Sequence, residues 1–465
     1  MKMRGFLSGA ALSVLMAGGA SFAQAQDEKA QQVLFTNVNI FDGFSDTLVM
    51  NQSVLVENNL IKTIGGNDLT GSADAVVIDG GGQTLMPGLI EGHAHLMLMG
   101  PSLPAMEANT TWEDFAIHGV KMSEMYLMQG FTTVRDAGGA NAGLQRAINN
   151  GTILGPRVYP SGAFIGSRGG HADFANFTSP VGQSTNMGRL NMAQEADSVA
   201  DIHKFGRNNF RMGASQLKFM QSGGAVSAFD PWQLLAGSQE EIEAAVQVAN
   251  EYGSYVMAHS YRKEAIMTAL NAGVKSIEHG FMFDCEVADL MKEKGAYITT
   301  NLTAFDPGLL EIPAVKNVAA SLRKATSASA AFVNYIPNMK KCPVKRAFQT
   351  DCVGDVASCN KQIAYEKYLN ADFFDPHTAL VTLTSTGGEL VALSGDFMNP
   401  YPDGKLGVIQ EGAYADILLI DGNPLEDFSV MGTSDKWFDG PLRPESPETI
   451  TVIMKDGVIY KNTLN

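Results

Sequence analysis

From residue 33 onward the chain alternates apolar and polar positions in short runs separated by turn residues. Val33-Leu34-Phe35-Thr36-Asn37-Val38, Ser53-Val54-Leu55-Val56-Glu57 and Leu60-Ile61-Lys62-Thr63-Ile64 each predict a strand, and Asp42-Gly43 predicts a turn. The same texture returns at residues 415–420 and 449–459. Because isolated hairpins are marginal in water, these distant segments predict one small bipartite β-sandwich built from both ends of the chain, residues 26–84 and 401–465.

The middle is patterned differently. Strand-like runs at 84–95, 132–136, 157–160, 216–220, 255–259, 276–279, 297–301 and 346–351 alternate with helical periodicity, clearest at 240–252 and 263–272. Eight strand–helix repeats predict an α/β fold whose closed form is the (β/α)8 TIM barrel, assigned here to residues 85–400. A doubly wound open sheet is the alternative. In a barrel, the C-terminal strand ends converge on one mouth, so polar groups at those positions acquire meaning together.

Composition narrows the partners. The 465 residues are 45% hydrophobic and 18% charged, which supplies a large core and excludes a disordered chain. Lys and Arg total 33 against 49 Asp and Glu, a net charge of −16. That sign opposes nucleic acid and anionic membrane surfaces as partners. Residues 1–25 have the three parts of a secretory signal: basic Lys2 and Arg4, an apolar stretch from Phe6 to Ala20, and the small-x-small site Ala23-Gln24-Ala25. Cleavage is expected after Ala25, placing the product in the periplasm or outside the cell, with no membrane attachment thereafter. Cys285, Cys342, Cys352 and Cys359 form no Cys-x-x-Cys pair, so a zinc finger or thioredoxin-type site is not expected; that compartment permits disulfides, and free cysteines are the alternative. Their pairing stays open, although Cys352 with Cys359 would close a short loop.

Gly92-His93-Ala94-His95 is the strongest chemical signal. Residues two apart in a strand face the same way, so both imidazoles can reach one metal ion. Lys218 lies in the fourth candidate strand, His259 and His279 end the fifth and sixth, and Asp351 closes the eighth. Burying these groups separately would cost about 1–3 kcal/mol for each one left unpaired, whereas a shared metal centre satisfies all of them.

The run Leu85-Met86-Pro87-Gly88-Leu89-Ile90-Glu91-Gly92-His93-Ala94-His95, taken with Lys218, His259, His279 and Thr350-Asp351, resembles the amidohydrolase superfamily. Within it, the chain is similar to the prolidase-like and imidazolonepropionase-like members. Gly404-Lys405-Leu406-Gly407, Glu411-Gly412-Ala413-Tyr414-Ala415-Asp416 and residues 421–427 extend the resemblance into the C-terminal run. One departure is Phe348-Gln349-Thr350-Asp351, where Gly-Thr-Asp is usual. The resemblance implies two divalent metal ions, zinc being the expected metal. His93, His95 and Asp351 would hold one ion and His259 and His279 the other, with a carboxylated Lys218 bridging them. Carboxylation makes chemical sense, because an ammonium repels cations while a carbamate is an anionic two-oxygen ligand. Asp351 would be the catalytic proton carrier.

For substrate, the resemblance points to Tyr261 and Arg262, immediately past a ligand, as a clamp for a terminal carboxylate, and to loop residue His171 as a donor to the substrate. A solvent-facing Arg262 at a helix start is the plainer alternative. Arg262 also stands where related single-metal deaminases carry Glu, which disfavours deamination. The expected activity is therefore hydrolysis of an amide or peptide bond next to a C-terminal carboxylate, in a dipeptide, an Xaa-Pro pair, an N-acyl amino acid or an amide-linked toxin. Hydrolysis of a cyclic amide is the enzymatic alternative, and a non-catalytic periplasmic zinc-binding protein is the alternative of another class. The partner is then a small molecule or short peptide; a homo-oligomer is left open. His118, His203 and His377 are expected at surface or helix-end positions, and Asn301 and Thr303 as pocket lining.

Overall fold

The computed structural model describes residues 31–464 apart from 101, 102, 226 and 228. The signal segment expected at 1–25 therefore lies outside the described residues. Strands Gln32–Ile40, Val49–Glu57, Leu60–Gly65, Val76–Asp79 and Thr84–Pro87 join Ile417–Ile420, Ile450–Lys455 and Val458–Asn462 in one eight-stranded sheet. The joint between the two ends is the antiparallel pairing of Thr84–Pro87 with Ile417–Ile420. Phe35, Val54, Ile61, Leu85, Ile417 and Val452 form its apolar interior.

Between these segments the strands are parallel. Leu89–Ala94, Phe131–Asp136 and Arg157–Tyr159 make one sheet, while Leu217–Met220, Val256–Ser260, Ser276–His279, Tyr297–Thr299 and Arg346–Ala347 run in order through the other. Backbone hydrogen bonds cross both seams. Ser215 N donates to Pro160 O at 2.7 Å, and Gly92 N donates to Phe348 O at 2.8 Å. Gly92 is required at that second seam, because a Cβ there would stand 2.7 Å from Phe348 O. The result is an α/β arrangement of the TIM-barrel type with an additional sheet.

Helices cover the outside. Gln239–Glu251 starts at a Ser238/Glu241 capping box, and Cys285–Lys294 starts where the Asp284 side chain accepts from Val287 N and stops at left-handed Gly295. Val256, Ala258, Ile277 and Ile298 face this layer and pack on Ile242, Val246, Ile266 and Leu270. Each such buried aliphatic side chain contributes about 1.5–3 kcal/mol of transfer free energy. By the two-residue alternation of strands, their neighbours Lys218, Met257 and His259 are then turned inward. Two disulfides form, Cys285–Cys342 and Cys352–Cys359. Among the described residues, no helix is long and apolar enough to cross a membrane.

The expected surface position of His118 is corrected. It lies inside the helix Trp112–Met128 on the face turned to the core, is 9% exposed, and its Nε2 has no hydrogen-bond partner among the described residues. His377 lies at the exposed start of its helix and bonds Phe44 O at 2.7 Å.

Candidate metal centre and active site

Strand parity brings Glu91, His93 and His95 to the same interior face. Asp351 arrives beside them because its backbone N donates to His93 O at 3.1 Å, continuing the seam made by Gly92. Asp351 Oδ1 lies 3.3 Å from His93 Nε2 and 3.2 Å from His95 Nε2, and Oδ2 lies 3.9 Å from His279 Nδ1. Potential ligand atoms of His93, His279 and Asp351 fall within 4.8 Å of one another, a grouping able to hold a metal ion. Lys218 Nζ stands 3.3 Å from His93 Nε2. The ring of His259 is 4.5 Å, centroid to centroid, from that of His279. All six predicted ligands are thus brought together.

Two of them hold unusual backbone. His279 has φ +71° and Asp351 φ +54°, left-handed conformations that side chains with a Cβ rarely adopt. At His279 the consequence is visible. Glu278 points inward by parity, and the left-handed turn lets the next residue reach the same interior instead of the helix layer. Such strain persists where surrounding contacts over-determine it.

The protonation states suit metal binding. Burial lowers the pKa of His93, His259 and His279, the last to about 3, so the imidazoles are neutral at physiological pH with a lone pair available. Burial works in the opposite sense on Asp351, but the close approach of His279, His93 and His95 outweighs it and keeps the carboxyl well below its usual range. Its side chain is 27% exposed, making it the open side of the cluster. Burial pulls Lys218 down to about 8, against attraction from Glu278 and Asp351. Neutral imidazoles, an ionised carboxylate and a lysine that readily becomes a neutral amine form a donor set that fits divalent ions.

Behind the ligands lies a layer that the motifs do not disclose. Glu278 Oε2 sits 2.6 Å from His93 Nδ1 and also accepts from Thr299 Oγ1 at 2.7 Å. Arg135 NH2 donates to both Glu278 oxygens at 2.9 Å, and its Nε donates to Gly92 O at 2.6 Å. All of these side chains are fully buried. Glu91 Oε1 accepts from His93 N and Thr350 N, tying the first strand to the Asp351 loop. The available signal is a Glu and an Arg at inward positions of barrel strands, where a charge is tolerated only when paired.

The residues expected at the substrate divide. His171 stacks on His259 with ring centroids 4.1 Å apart, and its Nδ1 lies 3.1 Å from buried Asp230 Oδ2. Tyr261 packs against His259, His279 and Phe281, and burial raises its pKa. Arg262 is the N-cap residue of the helix Lys263–Ala272; it donates to Glu264 Oε2 at 2.8 Å and to Gln233 O at 2.7 Å. Neither partner belongs to the histidine cluster. Gln349, the departure noted in the sequence, places Nε2 3.0 Å from His279 Nδ1, and Asn301 Oδ1 lies 3.2 Å from the same nitrogen.

Residues 84–460 match the amidohydrolase family. The chain belongs to the amidohydrolase family. A curated relative is an ochratoxinase of Aspergillus niger, 30% identical over 352 residues, which are 72% of this chain and 66% of the relative. The match thus spans just under two thirds of that relative's length. Among solved structures, a prolidase complexed with N-methylphosphonate-L-proline is 29% identical with a TM-score of 0.82, covering 93% of this chain and 100% of its own. A Xaa-Pro dipeptidase with bound methionine in its active site is 27% identical with a TM-score of 0.78, again over 93% and 100%.

Proposed function

We propose that this amidohydrolase is a secreted binuclear metal enzyme that hydrolyses an amide or peptide bond adjoining a C-terminal carboxylate. The observation carrying the reading is the position of Asp351, whose Oδ1 lies within 3.3 Å of both strand histidines while the side chain stays open to solvent. In this reading residues 85–400 form an eightfold closed barrel, residues 26–84 and 401–465 a sandwich, and cleavage after Ala25 delivers the chain to the periplasm or medium. The prolidase and Xaa-Pro dipeptidase among the similar structures, and the ochratoxinase among the curated relatives, support an amide-bonded substrate with an amino-acid end.

His93, His95 and Asp351 would hold one ion, His259 and His279 the other, with carboxylated Lys218 between them and zinc as the metal. When bound, these ions would supply Lewis acidity, polarising the scissile carbonyl and acidifying an attacking water. Carboxylation requires a neutral amine, and burial makes that form more accessible by pulling Lys218 down to about 8. Asp351, ionised and solvent-facing, accepts the water's proton and hands it to the leaving nitrogen. His171, as an imidazolium paired through Nδ1 with Asp230, would donate from Nε2 to the substrate carbonyl or carboxylate. Tyr261 closes the apolar side, and Arg262 exchanges Glu264 for the substrate carboxylate at the rim.

The test is hydrolysis of a panel of Xaa-Pro dipeptides, other dipeptides, N-acyl amino acids and cyclic amides by the zinc-loaded mature chain, with and without chelator. Turnover of carboxylate-terminated substrates that chelator abolishes is expected. Turnover of cyclic amides alone would move the reading to an imidazolonepropionase-like activity, and silence across the panel would leave a zinc-binding protein without catalysis.

A further inference from the structure

An open cavity of about 650 Å³, sharing no lining residue with the histidine cluster, is lined by Arg146, Arg189 and Arg211 together with Trp112, Asn141 and Asn191. The three arginines come from three helices: Arg146 from the last turn of Ala142–Asn149, Arg189 from the end of Asn186–Arg189 and Arg211 from the end of Val199–Arg211. Among the described residues, no carboxylate lines this cavity. Arg189 donates to Ser184 O and Asn186 Oδ1, and Arg211 donates to Asn208 Oδ1, all neutral acceptors. Several other arginines of this acid-rich chain pair with carboxylates, as Arg157 does with Asp416, Arg168 with Glu195 and Arg207 with Glu251, whereas Arg346 and Arg443 also bond neutral acceptors.

Three exposed arginines lining one open wall repel one another and create a local positive potential in a molecule of net charge −16. Such self-repulsion is relieved when a di- or trianion enters. Guanidinium forks match phosphoryl oxygens in pairs, and the asparagine amides add neutral donors. Trp112 lies on the same wall and is 40% exposed, an indole face open to stacking by a planar ring. The volume falls within the range of small-molecule sites. We propose that this cavity binds a small organic phosphate carrying a planar ring, of nucleoside-diphosphate chemistry, at a site separate from the hydrolytic centre. This proposal does not depend on the reading of the metal site.

The experiment is calorimetric titration of the full mature, metal-loaded chain with ADP, pyrophosphate and adenosine at low salt, in wild type, an Arg146→Gln/Arg211→Gln double variant and Trp112→Ala. ADP and pyrophosphate are expected to bind and adenosine not to. The double variant should weaken ADP at least about tenfold, and Trp112→Ala should weaken ADP severalfold without affecting pyrophosphate. Hydrolytic turnover should be unchanged in all variants. If the double variant unfolds, Arg211→Gln alone with competition by added salt replaces it, and ADP affinity must still drop. ADP binding that the arginine variants leave intact would place the anion elsewhere, for instance at the metal centre, and overturn the proposal. Absence of ADP binding at millimolar concentration would do the same, and equal loss of ADP and pyrophosphate in Trp112→Ala would remove the planar-ring requirement.

Discussion

His93 Nδ1 and Glu278 Oε2 are 2.6 Å apart in a fully buried pair, with Arg135 forked onto both oxygens of the same carboxylate. The bond fixes the His93 tautomer, so Nε2 presents its lone pair towards Asp351 and Lys218. Glu278 is a positioning residue. Glu278→Gln keeps the shape but removes the charge that holds both neighbours, and metal affinity measured by competition with a chromophoric chelator should fall about 10–100-fold. A variant that merely unfolds more easily, with chelator competition unchanged, would reduce Glu278 to a partner of Arg135.

Arg262 tests the substrate end. Its side chain is 32% exposed and already bonded to Glu264, so removing it should leave the metal centre intact. Arg262→Ala is expected to raise KM for a carboxylate-terminated dipeptide about tenfold or more, with little change for the corresponding C-terminal amide. Equal effects on the two substrates would refute the clamp.

Much of this architecture can be read from residue order. The helix over 263–272 and the strand pair around His259 and His279 fall where the periodicity puts them, because both faces of those strands are buried and bounded by clear turn residues. The gathering of these six side chains is legible for the same reason, since titratable groups that recur at inward strand ends must share partners to be satisfied there. What escapes is of two kinds. Short strands such as Phe164–Gly166 and Ala193–Glu195 have three residues each and no periodicity to detect. Glu278, Arg135 and Asp230 are charges made tolerable only by partners 143 and 59 residues distant, as in Arg135 with Glu278 and Asp230 with His171. A local pattern cannot show such partners. Burial of His118 has the same origin, as the helix face it occupies is decided by packing.

Lys367 gives a pH prediction. It is fully buried, its Nζ donates to Met431 O at 2.6 Å, and burial, with Arg443 nearby, lowers it to about 7. The unfolded chain binds this proton up to about pH 10.4, so between pH 10 and 7 the unfolded state holds more protons and stability rises with pH. Lys367→Met removes that titration. Its unfolding free energy relative to wild type, followed through the melting temperature, should climb as pH falls from about 10 to 7 and then level off, less a constant cost of about 1–3 kcal/mol for the unpartnered Met431 carbonyl. A difference independent of pH would contradict the buried amine's shifted titration.

The disulfides differ in what they constrain. Cys285–Cys342 spans 57 residues and Cys352–Cys359 spans 7, so loop-closure entropy assigns them about 4 and about 2.5 kcal/mol respectively. The shorter one begins at the residue after Asp351. Cys352→Ser/Cys359→Ser should therefore lower Tm less than Cys285→Ser/Cys342→Ser but lose more metal affinity. Calorimetry with chelator competition on both variants checks this; a reversed order in metal affinity would separate the shorter bridge from the site.

The central claim is that Lys218, as a carbamate, completes a centre of two ions. The direct measurement is metal content per chain together with Xaa-Pro dipeptide hydrolysis, in zinc-loaded wild type and Lys218→Ala prepared with bicarbonate. The account predicts two equivalents in wild type, one or fewer in Lys218→Ala, and a loss of kcat on the order of 10³-fold or more in the variant. A wild-type protein active with one equivalent, or a Lys218→Ala variant retaining two ions and full turnover, would contradict it.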